Sequence, residues 1–135
     1  MIWSLRALLV AGVGLTLVLS ACAGGSPPQA TVTIHYSHFE PNVVTVPAGV
    51  PVIITLRNDD PIDHEWIVGT PDVHARHRVG TEPYHNERPS EVTVPALSEE
   101  VTVLTFDEPG DYAFICHLPG HEDYGMVGTL RVAAS

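Results

Sequence analysis

Gly110-Asp111-Tyr112-Ala113-Phe114-Ile115-Cys116-His117-Leu118-Pro119-Gly120-His121-Glu122-Asp123-Tyr124-Gly125-Met126 is the stretch on which the fold turns. Its first part has the period of a half-buried strand, with Tyr112, Phe114 and Cys116 on one face and Ala113, Ile115 and His117 on the other. Pro119-Gly120 turns the chain. Residues 127–132 then read as a further strand. The loop between the two strands carries Cys116, His121 and Met126, five residues apart in each step, and can fold them around one point.

Working outward, the same pattern recurs. Residues 31–34, 43–46, 50–56, 65–68, 91–94 and 101–106 are short runs rich in β-branched residues. Turn residues separate them: Pro47-Ala48-Gly49, Asn58-Asp59-Asp60-Pro61, Pro95-Ala96 and Asp107-Glu108-Pro109-Gly110. Seven or eight short strands at this spacing predict an all-β fold, a Greek-key β-sandwich or barrel. Residues 69–90 stand apart as a long loop without period, holding Pro71, Gly80, Pro83 and Pro89, with room for a helical turn near residues 73–77. No phosphate-binding glycine loop, HExxH helix, GxSxG elbow or EF-hand pattern is present.

The chain has 135 residues, enough for one domain. Residues 1–21 carry a single charge, Arg6, and a short apolar run, and read as a secretory signal peptide. Leu19-Ser20-Ala21-Cys22 is similar to the lipobox of bacterial lipoproteins, which implies lipidation of Cys22 and a membrane anchor. Residues 22–30 then form a flexible tether and residues 31–135 the domain, placed in the periplasm or on the outer face of the cell membrane. Beyond the signal the chain has five arginines, no lysine and 16 acidic residues. That balance argues against nucleic acid and against a basic membrane-binding face. With Cys22 lipidated, Cys116 is left as a lone thiol in an exported domain and needs a reason to be there.

The reason lies in its neighbours. Thiolate and thioether are soft ligands, and imidazole suits both Cu(I) and Cu(II). Two histidines and a cysteine with a weak methionine form the blue-copper donor set. Zinc favours more thiolate or a tighter tetrahedral set, and calcium and magnesium favour oxygen. A second histidine must come from elsewhere, and His64 is the best candidate. It follows the loop of residues 58–63 and opens the strand 65–68, so that its loop can lie beside that of Cys116.

With these residues in view, the chain resembles the cupredoxin family of blue copper proteins, which includes plastocyanin, azurin and auracyanin. The resemblance spans residues 31–133. It is carried by Phe39-Glu40-Pro41 with Val46-Pro47-Ala48-Gly49, by Asn58 with His64-Glu65-Trp66-Ile67-Val68, and above all by the Gly110 to Gly128 segment. It implies one copper ion cycling between Cu(I) and Cu(II), with His64, Cys116 and His121 as ligands and Met126 as the weak axial one. His121 would be the exposed ligand through which electrons pass. Asn58 would be the residue whose hydrogen bonds tie the His64 loop to the cysteine loop. The spacing of Cys116 from His121 is wider than in plastocyanin, and that of His121 from Met126 wider than in azurin.

Other residues carry weaker signals. His117 should point away from Cys116 and sit on the surface or rim. His74, His77 and His85 read first as solvated loop histidines. They are also candidates for a weak second metal site that helps load copper. Trp66, Tyr112 and Phe114 should pack the core, while Leu118, Pro119 and Tyr124 suggest an apolar patch beside His121 for a transient redox protein partner. The functional expectation is a monomeric carrier of single electrons and not an enzyme, since a saturated site offers a substrate no coordination position. The alternative is a copper-binding module for delivery, storage or sensing. Met126 as the sole methionine past the signal disfavours a methionine-rich Cu(I) carrier.

Overall fold

The computed structural model describes residues 25–80, 85 and 87–134. The expected signal peptide and the expected lipidation site Cys22 lie outside the described residues. Nine strands form two sheets with one helix: β1 (Gln29–His35), β2 (His38–Glu40), β3 (Val43–Pro47), β4 (Val52–Asn58), β5 (His64–Gly69), α1 (Pro71–Arg78), β6 (Glu91–Val94), β7 (Glu99–Leu104), β8 (Gly110–Ile115) and β9 (Val127–Ala133). One sheet runs β2-β1-β4-β7 and the other β3-β9-β8-β5-β6, giving the expected β-sandwich. The pairs β1·β4 and β3·β9 are parallel and the others antiparallel.

Alternation drives the packing. Val32 and Ile34 of β1, Val52, Ile54 and Leu56 of β4, and Leu130 and Val132 of β9 point inward and are buried between the sheets. Trp66 and Phe114 are fully buried at the centre, and Tyr112 packs on their edge with its hydroxyl donating to the Glu108 carbonyl. Gly128 is required here. A Cβ on it would lie 2.1 Å from a Phe114 ring carbon and 2.8 Å from the Asn42 carbonyl oxygen.

Three features depart from the sequence reading. The strands begin earlier than expected: Gln29 and Ala30, read as tether, already pair with Ile53 and Ile54 of β4. A ninth strand, β2, folds back on β1 through Tyr36-Ser37, both at positive φ, as a two-residue I′ turn requires. These are not the asparagine or glycine that normally mark such a turn. The Asp60 carboxylate holds it instead, accepting the N–H groups of Tyr36 and Ser37 at 2.7 Å each. Third, part of the 69–90 loop is the helix α1. Pro71 occupies its first turn with Asp72 beside it, Arg76 and Arg78 sit in its last, and Gly80 at positive φ follows its end. It packs on β5, so closely that a Cβ on Gly69 would lie 2.9 Å from Val73. The outer face of β5 and β8 is thereby roofed, and Ile67 and Ile115 are buried although they face away from the main core.

Candidate metal centre

Strand β5 brings His64 to one end of the sandwich, on its inner face. There it meets the loop that joins β8 to β9. The loop is braced by its own backbone: His121 N–H donates to the Leu118 carbonyl, Met126 N–H to His121, and Cys116 N–H to Met126. Cys116, His64 and Met126 are buried, and His121 is half-buried at the rim. His64 Nδ1 stands 3.2 Å from His121 Nδ1, and Cys116 Sγ stands 3.3 Å from the same His121 nitrogen. These three atoms form one of the two clusters of potential metal ligands among the described residues.

Hydrogen bonds explain why the three atoms face one another. A carboxylate only accepts, so His64 Nε2–H donates to Asp60 Oδ2, 3.0 Å away, and the lone pair on Nδ1 is left facing the site. Burial pushes the His64 pKa down, against the pull of Asp60, and keeps the ring neutral. Burial alone would raise the Asp60 pKa. The Ser37 and Tyr36 N–H groups and His64 outweigh it and hold the carboxyl ionised. Burial pushes the Cys116 thiol up to about 11, although N–H groups of Glu65 and Leu118 favour the thiolate. The Glu65 N–H lies 3.3 Å from Sγ. A soft cation that displaces this proton therefore supplies the charge partner the buried thiolate lacks.

The donor set can be tested against a metal. Two imidazole nitrogens bound to one ion at about 2.0–2.1 Å each, near the tetrahedral angle, lie about 3.3–3.4 Å apart. The His64–His121 separation of 3.2 Å falls within about 0.2 Å of that spacing, so little rearrangement is needed. The residues therefore fit a copper-type centre of two imidazoles and a thiolate. Met126 is fastened by backbone to both loop ligands on the buried side.

Asn58 does another job than the resemblance implied. Its Nδ2 donates to the carbonyls of Ile62, Val94 and Pro95, and its Oδ1 accepts the Asp60 N–H. It fastens the His64 loop to the end of β6 and sets Asp60. The link to the cysteine loop is the Glu65 N–H instead. Asp60 itself was missed in the sequence. The one signal was its place four residues before His64, in a segment otherwise read as a turn.

The remaining histidines are also corrected. The His117 side chain is shielded, not on the rim, because His74 and His77 of α1 pack against its ring. It hydrogen-bonds His74 at 3.0 Å and stacks on His77. Burial, then His74, pushes its pKa down to about 4. His74 and His77 are likewise buried rather than solvated, since they form the inner side of α1. His77 and His85 come together, but with Glu91 and without His74. Around the rim near His121, Pro119 is exposed, Tyr124 is 76% exposed, and Leu118 is drawn partly into the core. Tyr36, Ile62 and Leu97 are exposed on the turns that meet at Asp60.

Comparison with known proteins agrees with this architecture. The sequence profile of the cupredoxin-like domain family matches residues 7–132. Among solved structures, an auracyanin B is similar at 25% identity and a TM-score of 0.63, over 81% of this chain and 91% of that one. Auracyanin A, a blue copper protein from the green thermophilic photosynthetic bacterium Chloroflexus aurantiacus, is similar at 22% identity and TM-score 0.63, over 79% and 99%. The metal-binding domain of the Cu(I)-exporting P-type ATPase of Streptococcus pneumoniae D39 is similar at 15% identity and TM-score 0.52, over 78% and 84%. No curated protein matches the sequence significantly.

Proposed function

Since the chain belongs to the family of cupredoxin-like domains, we propose that it holds one copper ion at His64, Cys116, His121 and Met126 and carries single electrons between redox proteins outside the cytoplasm. The observation that carries this reading is the convergence of His64 Nδ1, His121 Nδ1 and Cys116 Sγ with little rearrangement needed. Copper in such a site supplies a one-electron couple between Cu(I) and Cu(II).

The chain's own residues supply the rest. Asp60 holds the His64 ring in one tautomer and orientation in either oxidation state. The Glu65 N–H steadies the sulfur, and burial of Cys116 and Met126 keeps water from the soft ligands. A site held this firmly changes little when an electron arrives or leaves. His121 is the ligand nearest solvent, and the exposed Tyr124, Pro119, Ile62 and Leu97 lie on the loops of that end. They suit a small, transient interface with a protein partner. The domain works as a monomer, without catalysis of its own, anchored to the membrane through lipidated Cys22.

The test is the visible and EPR spectrum of the copper-loaded protein. An intense thiolate-to-copper band with narrow parallel hyperfine splitting is expected. Cys116→Ser should abolish the band, and a band that survived would refute the ligand assignment. The likeness to the metal-binding domain of a Cu(I) exporter favours a second reading, a module that hands copper on. Rapid loss of copper to a mild chelator, with no thiolate band, would select it.

A further inference from the structure

A second set of ligands lies on the opposite face of β5. His77 of α1, His85 and Glu91 of β6 bring one donor atom each within 4.8 Å of one another. His77 Nε2 and His85 Nδ1 are each 3.7 Å from Glu91 Oε2. That is too long for a hydrogen bond. All three atoms are buried and lack a hydrogen-bond partner among the described residues. Three orphaned polar atoms pointing at one spot are costly unless something occupies it.

The outward hydrogen bonds show what that something is. His77 Nδ1–H donates to the Val73 carbonyl at 2.8 Å, which leaves the Nε2 lone pair facing inward. His85 Nε2–H donates to Glu65 Oε1 at 3.2 Å, which leaves the Nδ1 lone pair facing inward. Glu91 spends Oε1 on Arg88 Nη1 at 3.0 Å and turns Oε2 to the histidines. Each imidazole thus has its far N–H fixed by a carbonyl or carboxylate, the arrangement that orients histidines on metals. His77 and His85 side chains are 3% and 14% exposed and Glu91 3%, so the centre is shut from solvent on most sides. His74 is excluded. Its Nε2–H goes to the Ala113 carbonyl and its Nδ1 accepts from His117, so neither nitrogen is free.

We propose that His77, His85 and Glu91 bind a borderline divalent cation, zinc being the best match, and that this ion clamps α1 and His85 to the outer face of the sheet. Two imidazoles and one carboxylate are a recognised zinc donor set. Contraction of each 3.7 Å separation by about 0.3–0.4 Å reaches tetrahedral spacing. The set lacks sulfur and so differs in kind from the centre at Cys116.

The test is a zinc titration of the copper-loaded protein, followed by dialysis and elemental analysis. One zinc retained per chain, with the visible spectrum unchanged, is expected. Glu91→Gln and His85→Gln should each weaken zinc by more than the roughly 10–100-fold that loss of an outer partner costs. Glu65→Gln should fall within that range, because it touches only the far side of His85. His38→Gln, at an exposed strand position, should change nothing. The visible band reports folding of each variant that keeps Cys116, and Cys116→Ser, which lacks the copper thiolate, should still retain one zinc. Failure of the wild-type protein to retain zinc, or equal retention by folded Glu91→Gln, would overturn the proposal.

Discussion

The two faces of β5 carry two centres built on one plan from different materials. On the inner face, His64 is oriented by the Asp60 carboxylate and meets a thiol and a second imidazole. On the outer face, His85 is oriented by the Glu65 carboxylate and meets a carboxylate and a second imidazole. Adjacent residues of one strand thus face opposite clusters, His64 as a candidate ligand inside and Glu65 as the support of a candidate ligand outside. Glu65 serves both, since its N–H also reaches Cys116 Sγ. Ligand softness separates them: thiolate and thioether beside two imidazoles suit copper, whereas a carboxylate in place of the sulfur suits a harder, borderline cation.

The comparison can be broken at the roof. Ile67 is fully buried on the outer face beneath α1 and pairs in register with Glu91 and Ile115. Ile67→Ala should cost about 2–5 kcal/mol in chemical denaturation. It should weaken zinc retention while leaving the visible copper spectrum in place. Equal damage to both centres would show that they are not independent.

Asp60→Asn probes the inner centre alone. The amide oxygen can still accept from His64 and Ser37, but the amide then turns a donor toward the N–H of Tyr36. Stability should fall by about 1–3 kcal/mol, and copper affinity by about 10–100-fold in a competition titration. Zinc binding should not change.

The smallest effect is expected where the two regions touch. Arg78 at the end of α1 binds Glu122 of the ligand loop, with Nε 2.9 Å from Oε2. The guanidinium holds the Glu122 carboxyl below its usual range, but both side chains are partly exposed. Arg78→Ala should cost less than about 1 kcal/mol in thermal or chemical melts.

The inner centre was largely legible in the sequence because its ligand loop is local. Cys116, His121 and Met126 fall within one turn between two strands, and soft donors at such spacing have few other uses. His64 was legible as a candidate only, since it meets His121 across 57 residues of chain. The expectations for His117, His74 and His77 failed for a common reason. Alternation tells which face of a strand a residue occupies, but not whether a helix covers that face. Residues 69–90 carry no hydrophobic period because α1 buries histidines rather than aliphatic residues.

Most of the strands, and the loop that carries Cys116, His121 and Met126, could be read from the chain alone. The groups that aim those side chains came into view with the folded molecule. Asp60 holds a two-residue turn and a histidine at once because the β1–β2 turn and the start of β5 meet at its carboxylate. Glu91 turns from an ordinary strand residue into a potential ligand because His77 of α1 and His85 come to lie against it. The physical reason is the same in both cases. A lone pair has a direction, and the hydrogen bonds that set it come from parts of the chain whose meeting depends on the fold as a whole.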